Sequence, residues 1–143
     1  MRSTHSDNLS FTGAGMCSRV ISTILLILVL SFFSCATPKP VLYKEGRPLS
    51  ITEYEKIAQR EYDNDLFENA IMVYQAIIDN YPTNPKALAW AYYEIAYCYW
   101  MLKEYESAEL NFRKVLNEFQ EPAANTLAGQ MLERIESERE KKR

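Results

Sequence analysis

The chain has 143 residues, of which 48% are hydrophobic and 24% charged, and its formal net charge is −3. This length fits one domain better than two. The sequence has no basic patch of the kind that would indicate nucleic-acid binding. The single histidine, His5, lies in an N-terminal segment that we expect to be removed. The mature chain then lacks a histidine base, a Ser-His-Asp triad and a histidine metal ligand.

The first predicted element is a short apolar segment near the N-terminus. Residues 20–33 contain no charge, and 14 residues are too few for a membrane span of about 20. Arg19 precedes the segment and the small Ser34 follows it, which is typical of a secretory signal peptide. We therefore expect residues 1–34 to be a cleaved signal peptide, with a buried core helix as the alternative.

The residue after this segment, Cys35, follows Phe32-Phe33-Ser34. This sequence resembles the lipobox of bacterial lipoproteins. The resemblance implies lipid transfer to the Cys35 sulfur, cleavage before it and acylation of the new amine, and two or more acyl chains anchor a protein stably. Ala36, where an aspartate would retain the protein in the inner membrane, implies the periplasmic side of the outer membrane. An ordinary secreted protein cut nearby is the alternative.

The segment after the cysteine is rich in proline. Residues 35–48 include the lipidated cysteine and three prolines, which predict an extended tether. Residues 49–143 carry helical patterns, and we expect no strand anywhere in the mature chain. From Cys35 on, the chain holds 14 Lys and Arg against 18 Asp and Glu, a net charge of −4. Capping signals at Ser50-x-x-Glu53, Asp65 and Asn84-Pro85 predict where the first three helices begin. Five helices are expected, at about 50–63, 65–80, 84–102, 104–119 and 122–140.

These helices form an internal repeat with an offset of 38 residues. Small residues recur at that offset, and so do large apolar ones such as Tyr74 and Phe112. The matching alanines are Ala58 with Ala96 and Ala70 with Ala108. The pattern resembles the tetratricopeptide repeat, in which such alanines lie where helices cross closely. It implies an all-α fold, a short α-solenoid with repeats at about 50–82 and 88–120 and a capping helix at about 122–140. We expect the capping helix to pack inward through Leu127, Met131, Leu132 and Ile135.

The spacing Tyr81-Pro82-x-x-Pro85 between the repeats, together with the lipobox, is similar to the BamD family of outer-membrane β-barrel assembly lipoproteins. The chain would be a truncated relative. The resemblance implies a non-enzymatic adaptor with outer-membrane assembly proteins as partners. An envelope-maintenance scaffold of the Tol–Pal or peptidoglycan-associated type is the alternative, and self-association could cover the exposed end of two repeats. No nucleotide, metal or other cofactor is expected, and no catalytic carboxylate constellation supports a cell-wall enzyme.

The predicted binding site is an aromatic face of the third helix. In tetratricopeptide proteins this face lines a groove together with the equivalent face of the preceding repeat. Because rigid aromatic side chains dominate binding hot spots, we expect a partner-binding groove here. The alternative is that the third helix is central and buried on all sides. The predicted groove residues are Trp90, Tyr93, Tyr97, Trp100, Tyr62, Gln59 and Glu55.

Overall fold

A computed structural model describes residues 38–141, and from Lys39 on these residues belong to one compact unit. The predicted signal peptide, the predicted lipidation site Cys35 and Ala36 lie outside the described residues. Within the described part of the chain, none of the helices combines the length and the apolar character that crossing a membrane requires.

The domain is a row of five helices. Each helix packs mainly against the helix before it and the helix after it, which is the arrangement of an α-solenoid. This confirms the predicted all-α fold, a short solenoid of two helix–turn–helix repeats closed by a further helix. The helices are α1 (Ile51–Asp63), α2 (Phe67–Asn80), α3 (Pro85–Met101), α4 (Tyr105–Glu118) and α5 (Pro122–Glu140).

Two of the predicted N-caps are confirmed and one is wrong. The Ser50 backbone N–H donates to the Glu53 carboxylate at 2.9 Å, and the Glu53 N–H donates back to the Ser50 Oγ at 3.4 Å, forming a capping box. The Asn84 side chain likewise accepts the N–H of the third helical residue at 3.1 Å. Asp65, however, does not cap α2. The N-cap is Leu66, and its side chain makes no capping hydrogen bond.

Asp65 instead belongs to a turn that both repeats share. Asp65 and Lys103 lie 38 residues apart and both adopt left-handed backbone conformations, with φ of 59° and 63°. The residue after each, Leu66 and Glu104, donates its N–H to a carbonyl five residues earlier at 2.9 Å. This pattern is the Schellman motif, which satisfies the last carbonyls of a helix. The backbone therefore repeats at the offset seen in the sequence.

The core consists of two clusters that meet at α3. Val73 and Ile77 of α2 pack with Ile95 on one side, and Phe112 and Val115 of α4 pack on the other. Because small side chains let helix backbones approach closely, alanine is expected where helices cross. The structure places all four predicted repeat-packing alanines in the interior with no exposed surface. They are Ala58, Ala70, Ala96 and Ala108.

The segment predicted as an extended, strand-free tether contains a short hairpin. Strand β1 (Tyr43–Lys44) pairs antiparallel with strand β2 (Arg47–Pro48). The two residues between them, Glu45 and Gly46, have φ of 54° and 74°, as a type I′ turn requires. The prediction of no strand is therefore wrong here, because a two-residue turn closes strands too short to give an alternating pattern.

Hydrogen bonds hold this segment on the first repeat. The Tyr54 hydroxyl, whose residue is fully buried, donates to the Leu42 carbonyl at 2.8 Å and accepts the Leu49 N–H at 3.3 Å. The Tyr81 hydroxyl donates to the Leu49 carbonyl at 2.7 Å. The chain is thus attached to the domain from Leu42 onward, although the sequence predicted a free tether as far as residue 48.

Candidate binding groove

A groove crosses the first helices of the two repeats. It consists of two adjoining depressions, of about 190 Å³ and about 360 Å³, which share Gln59, Trp90 and Glu94 in their walls. Side chains from α1, α2, α3 and α5 surround it. We call the groove the surface formed by Glu55, Gln59, Tyr62, Tyr74, Ile77, Ala87, Trp90, Ala91, Tyr93, Glu94, Tyr97 and Leu127.

Six of the seven predicted groove residues come together here. Their aromatic members form a continuous row of rings. The centroids of Trp90 and Tyr93 lie 5.8 Å apart, those of Tyr93 and Tyr97 lie 6.3 Å apart, and those of Tyr97 and Tyr62 lie 6.0 Å apart. These separations are typical of favourable aromatic pairs. The row therefore forms a packed wall whose side chains have little freedom left to lose on binding.

The central position of α3 limits how much of this wall is open. Tyr93 is 9% exposed and packs on Phe112 of the second core cluster, whereas Trp90 and Tyr97 are half-buried. Burial raises the pKa of the Tyr93 hydroxyl to about 12. Burial and the neighbouring Tyr97 raise the pKa of the Tyr62 hydroxyl to about 12. Tyr93 is therefore buried in the core, as the alternative expected, while Trp90 and Tyr97 line the groove. Partner binding by this face stays a prediction.

Trp100 does not reach the groove, contrary to the prediction. Its ring lies 5.5 Å from Tyr97 on the far side, and the Arg134 guanidinium of α5 covers it at 4.5 Å from the centroid. Within the described residues, its buried indole N–H has no hydrogen-bond acceptor. The last turn of α3 is close to α5, so a residue at the end of the stripe packs against that helix.

The sequence prediction missed Glu94, which lies in the middle of the groove. Burial, with the nearby Glu55 as a smaller cause, raises the pKa of the Glu94 carboxyl to about 7. Within residues 38–141, Glu94 makes no hydrogen bond or ion pair. A signal was present, because Glu94 is the only acidic residue in the 17 residues of α3 and lies four after Trp90 and three before Tyr97.

Leu127 was also assigned to the wrong surface. The sequence predicted that it packs inward together with Met131, Leu132 and Ile135, yet it is 37% exposed and borders the groove. Met131 and Ile135 are buried as expected, and Leu132 is partly buried. Leu127 lies five residues after the first proline of α5, as Trp90 lies five residues after the first proline of α3. That spacing could have identified its position.

Cys98, the one cysteine among the described residues, lies close to Glu94 of the groove. The Cys98 thiol is fully buried, and this burial, with Glu94 as a second cause, raises its pKa to about 12. A thiol in such surroundings is inert. Residues 38–141 also contain no group of three side chains that could hold a metal ion. The groove thus offers aromatic faces, the half-buried Glu94 carboxyl and the Gln59 amide, which can contact or hydrogen-bond a bound molecule.

Comparison with known proteins supports the repeat architecture. A family model for the tetratricopeptide repeat matches residues 90–121, which run from the groove face of α3 through α4 to the residue before α5. No match is found among curated proteins or among solved structures. The match and the helical structure together support a protein of the tetratricopeptide type, and repeats of this type bind protein partners.

Proposed function

We propose that this protein is a non-enzymatic adaptor that binds an extended or helical segment of another protein in its groove. The row of rings carries the proposal, with Trp90, Tyr97 and Tyr62 partly open to the groove and the buried Tyr93 supporting them. Aromatic side chains that are already packed supply contact area with little further loss of entropy, and they are enriched among the residues that dominate binding energy.

We further propose that the adaptor is held by lipid on Cys35 at the periplasmic side of the outer membrane and acts in outer-membrane protein assembly. The lipobox-like Phe32-Phe33-Ser34-Cys35 and the proline spacing between the repeats support this placement. The attachment of Leu42 to the first repeat is compatible with this proposal, because only six residues separate Leu42 from Cys35 in the sequence.

Site-specific photocrosslinking in cells tests both levels of the proposal. A photoreactive residue replaces Gln59, which is exposed and lies in both depressions of the groove. The matched control replaces Gln75, an exposed glutamine on α2 that lies outside the groove. We expect the Gln59 probe to capture a component of the barrel-assembly machinery that the Gln75 probe does not capture.

The other outcomes are equally informative. Capture of Tol–Pal or peptidoglycan-associated proteins at Gln59 alone would retain the groove and replace assembly by envelope maintenance. Identical products from the two probes would show that the groove is not the binding site.

A further inference from the structure

The charged side chains that line the groove are all acidic. Glu55 and Glu94 border the smaller depression, Glu94 also borders the larger one, and no Lys, Arg or His belongs to either wall among the described residues. The only other charged residue of α3 is Lys86, which lies outside the groove. A half-buried carboxylate that has no partner within the domain is costly to desolvate, and a cation from outside would compensate it.

The rings of α3 that face away from the groove already hold cations. The Lys114 ammonium lies 4.9 Å from the Tyr92 centroid, and the Arg134 guanidinium lies 4.5 Å from the Trp100 centroid. No described cation lies over Trp90 or its neighbours in the groove. Aromatic faces attract Lys and Arg side chains, and the attraction grows when both are desolvated. The groove-facing rings are therefore available for a cation that the domain does not supply.

We propose that the groove recognises a lysine or arginine side chain of the bound protein segment, which lies along the aromatic row and pairs with Glu94. Trp90 and Tyr97 flank Glu94 one helical turn away on either side, so a long cationic side chain can contact a ring with its stem and the carboxylate with its head. Glu55 adds negative charge at the entrance. This proposal rests on the proposed function, since it specifies what the adaptor binds.

The electrostatics of Glu94 give the site a pH dependence. With a pKa of about 7, the ionised fraction of Glu94 rises about tenfold between pH 6 and pH 8. The titratable groups that face it are Glu55 and Tyr62 from α1, Tyr74 from α2, and Tyr93, Tyr97 and Cys98 on α3 itself. The part of α5 that borders the groove contributes Leu127, and α4 contributes nothing.

A peptide selection tests the proposal. The full chain, purified in mild detergent, is used to select binders from a phage-displayed library of random heptapeptides at pH 8. Three variants are used in parallel, namely Glu94→Gln, Trp90→Ala and the control Glu136→Gln, which changes an exposed glutamate of α5. We expect the wild-type chain and Glu136→Gln to enrich peptides with a central Lys or Arg, and Glu94→Gln to lose this preference.

Synthetic peptides then measure the contribution of the charge. Replacing the enriched cation by norleucine, which keeps the aliphatic stem, should weaken binding to the wild-type chain about tenfold or more and have little effect on Glu94→Gln. Fluorescence of Trp90 in a Trp100→Phe background reports binding, because the chain has only two tryptophans. The wild-type affinity for the lysine peptide should rise about tenfold from pH 6 to pH 8, as the ionised fraction of Glu94 does.

The failures are distinguishable. Enriched peptides that depend on Trp90 but contain no cation, or a norleucine effect that is the same in wild type and Glu94→Gln, would overturn this inference and leave the adaptor function standing. If no peptide is enriched on the wild-type chain beyond its level on Trp90→Ala, the groove does not bind protein segments, and both proposals fail.

Discussion

Ionisation of the half-buried Glu94 carboxyl should lower the stability of the folded domain at alkaline pH. Replacing Glu94 by Gln removes the ionisable carboxyl and keeps its shape, so it isolates the effect of ionisation in the groove. In the folded chain, burial raises the pKa of this carboxyl from 4.5 to about 7. The folded state therefore binds the proton more tightly than the unfolded state does. The wild-type stability should fall as the pH rises from about 4.5 through 7.

The size of the effect follows from these pKa values. A difference of one in pKa corresponds to about 1.4 kcal/mol, so the change from 4.5 to about 7 sets an upper limit of about 3 kcal/mol at alkaline pH. Because Glu94 is only half-buried, water screens part of the effect, and we expect Glu94→Gln to be more stable than wild type by about 1–3 kcal/mol at pH 8.5. Below pH 4.5 the two proteins should be nearly equal.

Urea unfolding followed by circular dichroism at pH 4, pH 6 and pH 8.5 measures this difference. Glu136→Gln, at an exposed position of α5, is the control and should follow the wild type at all three values. A difference between Glu94→Gln and wild type that stays constant over this range would refute the reasoning, because it would show that ionisation of Glu94 does not control the stability.

Three further predictions test the packing and the turns. Ala96→Leu should destabilise the fold by about 1–3 kcal/mol in urea unfolding, since Ala96 is fully buried. The control Ala123→Leu, at an exposed helical position, should change the free energy of unfolding little. Equal effects of the two substitutions would contradict the close helix crossing at Ala96. Lys103→Gly should raise the stability by about 0.5–1 kcal/mol, because φ is 63° at this position and glycine adopts a left-handed conformation without strain. The control Lys56→Gly, within α1, should lower the stability by about 1 kcal/mol. A loss of stability in both variants would rule out backbone strain at Lys103. Peptide mapping after iodoacetamide treatment at pH 8 should find Cys98 unmodified in the native chain and modified in urea, since burial raises its pKa to about 12. Rapid modification of Cys98 in the native chain would mean that α3 separates from its neighbours and exposes the thiol.

The repeat was predictable because the sizes of its side chains recur along the sequence. Alanines and large apolar residues recur at a fixed offset, and helix packing requires small residues where backbones approach and large ones where gaps must be filled. The turn between the helices was less predictable. A left-handed residue after a helix is usually glycine or asparagine, and Asp65 and Lys103 are neither. The hairpin was missed because two-residue strands leave no periodic pattern, although Glu45-Gly46 is a compatible turn.

The groove was predicted through its aromatic residues and missed in its electrostatics. Spacing along α3 identifies which residues share a face, and Trp90, Tyr93 and Tyr97 do share the groove. Spacing on one helix does not show where a neighbouring helix ends, which is why Trp100 was assigned to the groove rather than to the contact with α5. It also does not show the burial of Glu94, because that depends on side chains from α1 and α2.

The attachment of Leu42 and Leu49 to the first repeat also limits how far the domain can move from a membrane. With the chain bound to the domain from Leu42 onward, only six residues, 36–41, separate this attachment from Cys35 and its proposed lipid. A fully extended chain spans about 3.3–3.6 Å per residue, so the segment from Cys35 to Leu42 spans at most about 25 Å. The domain would then search only a thin layer above the lipid headgroups. A partner segment would have to enter this layer to be captured, and the ratio of its local concentration there to its dissociation constant would set how often the groove is filled.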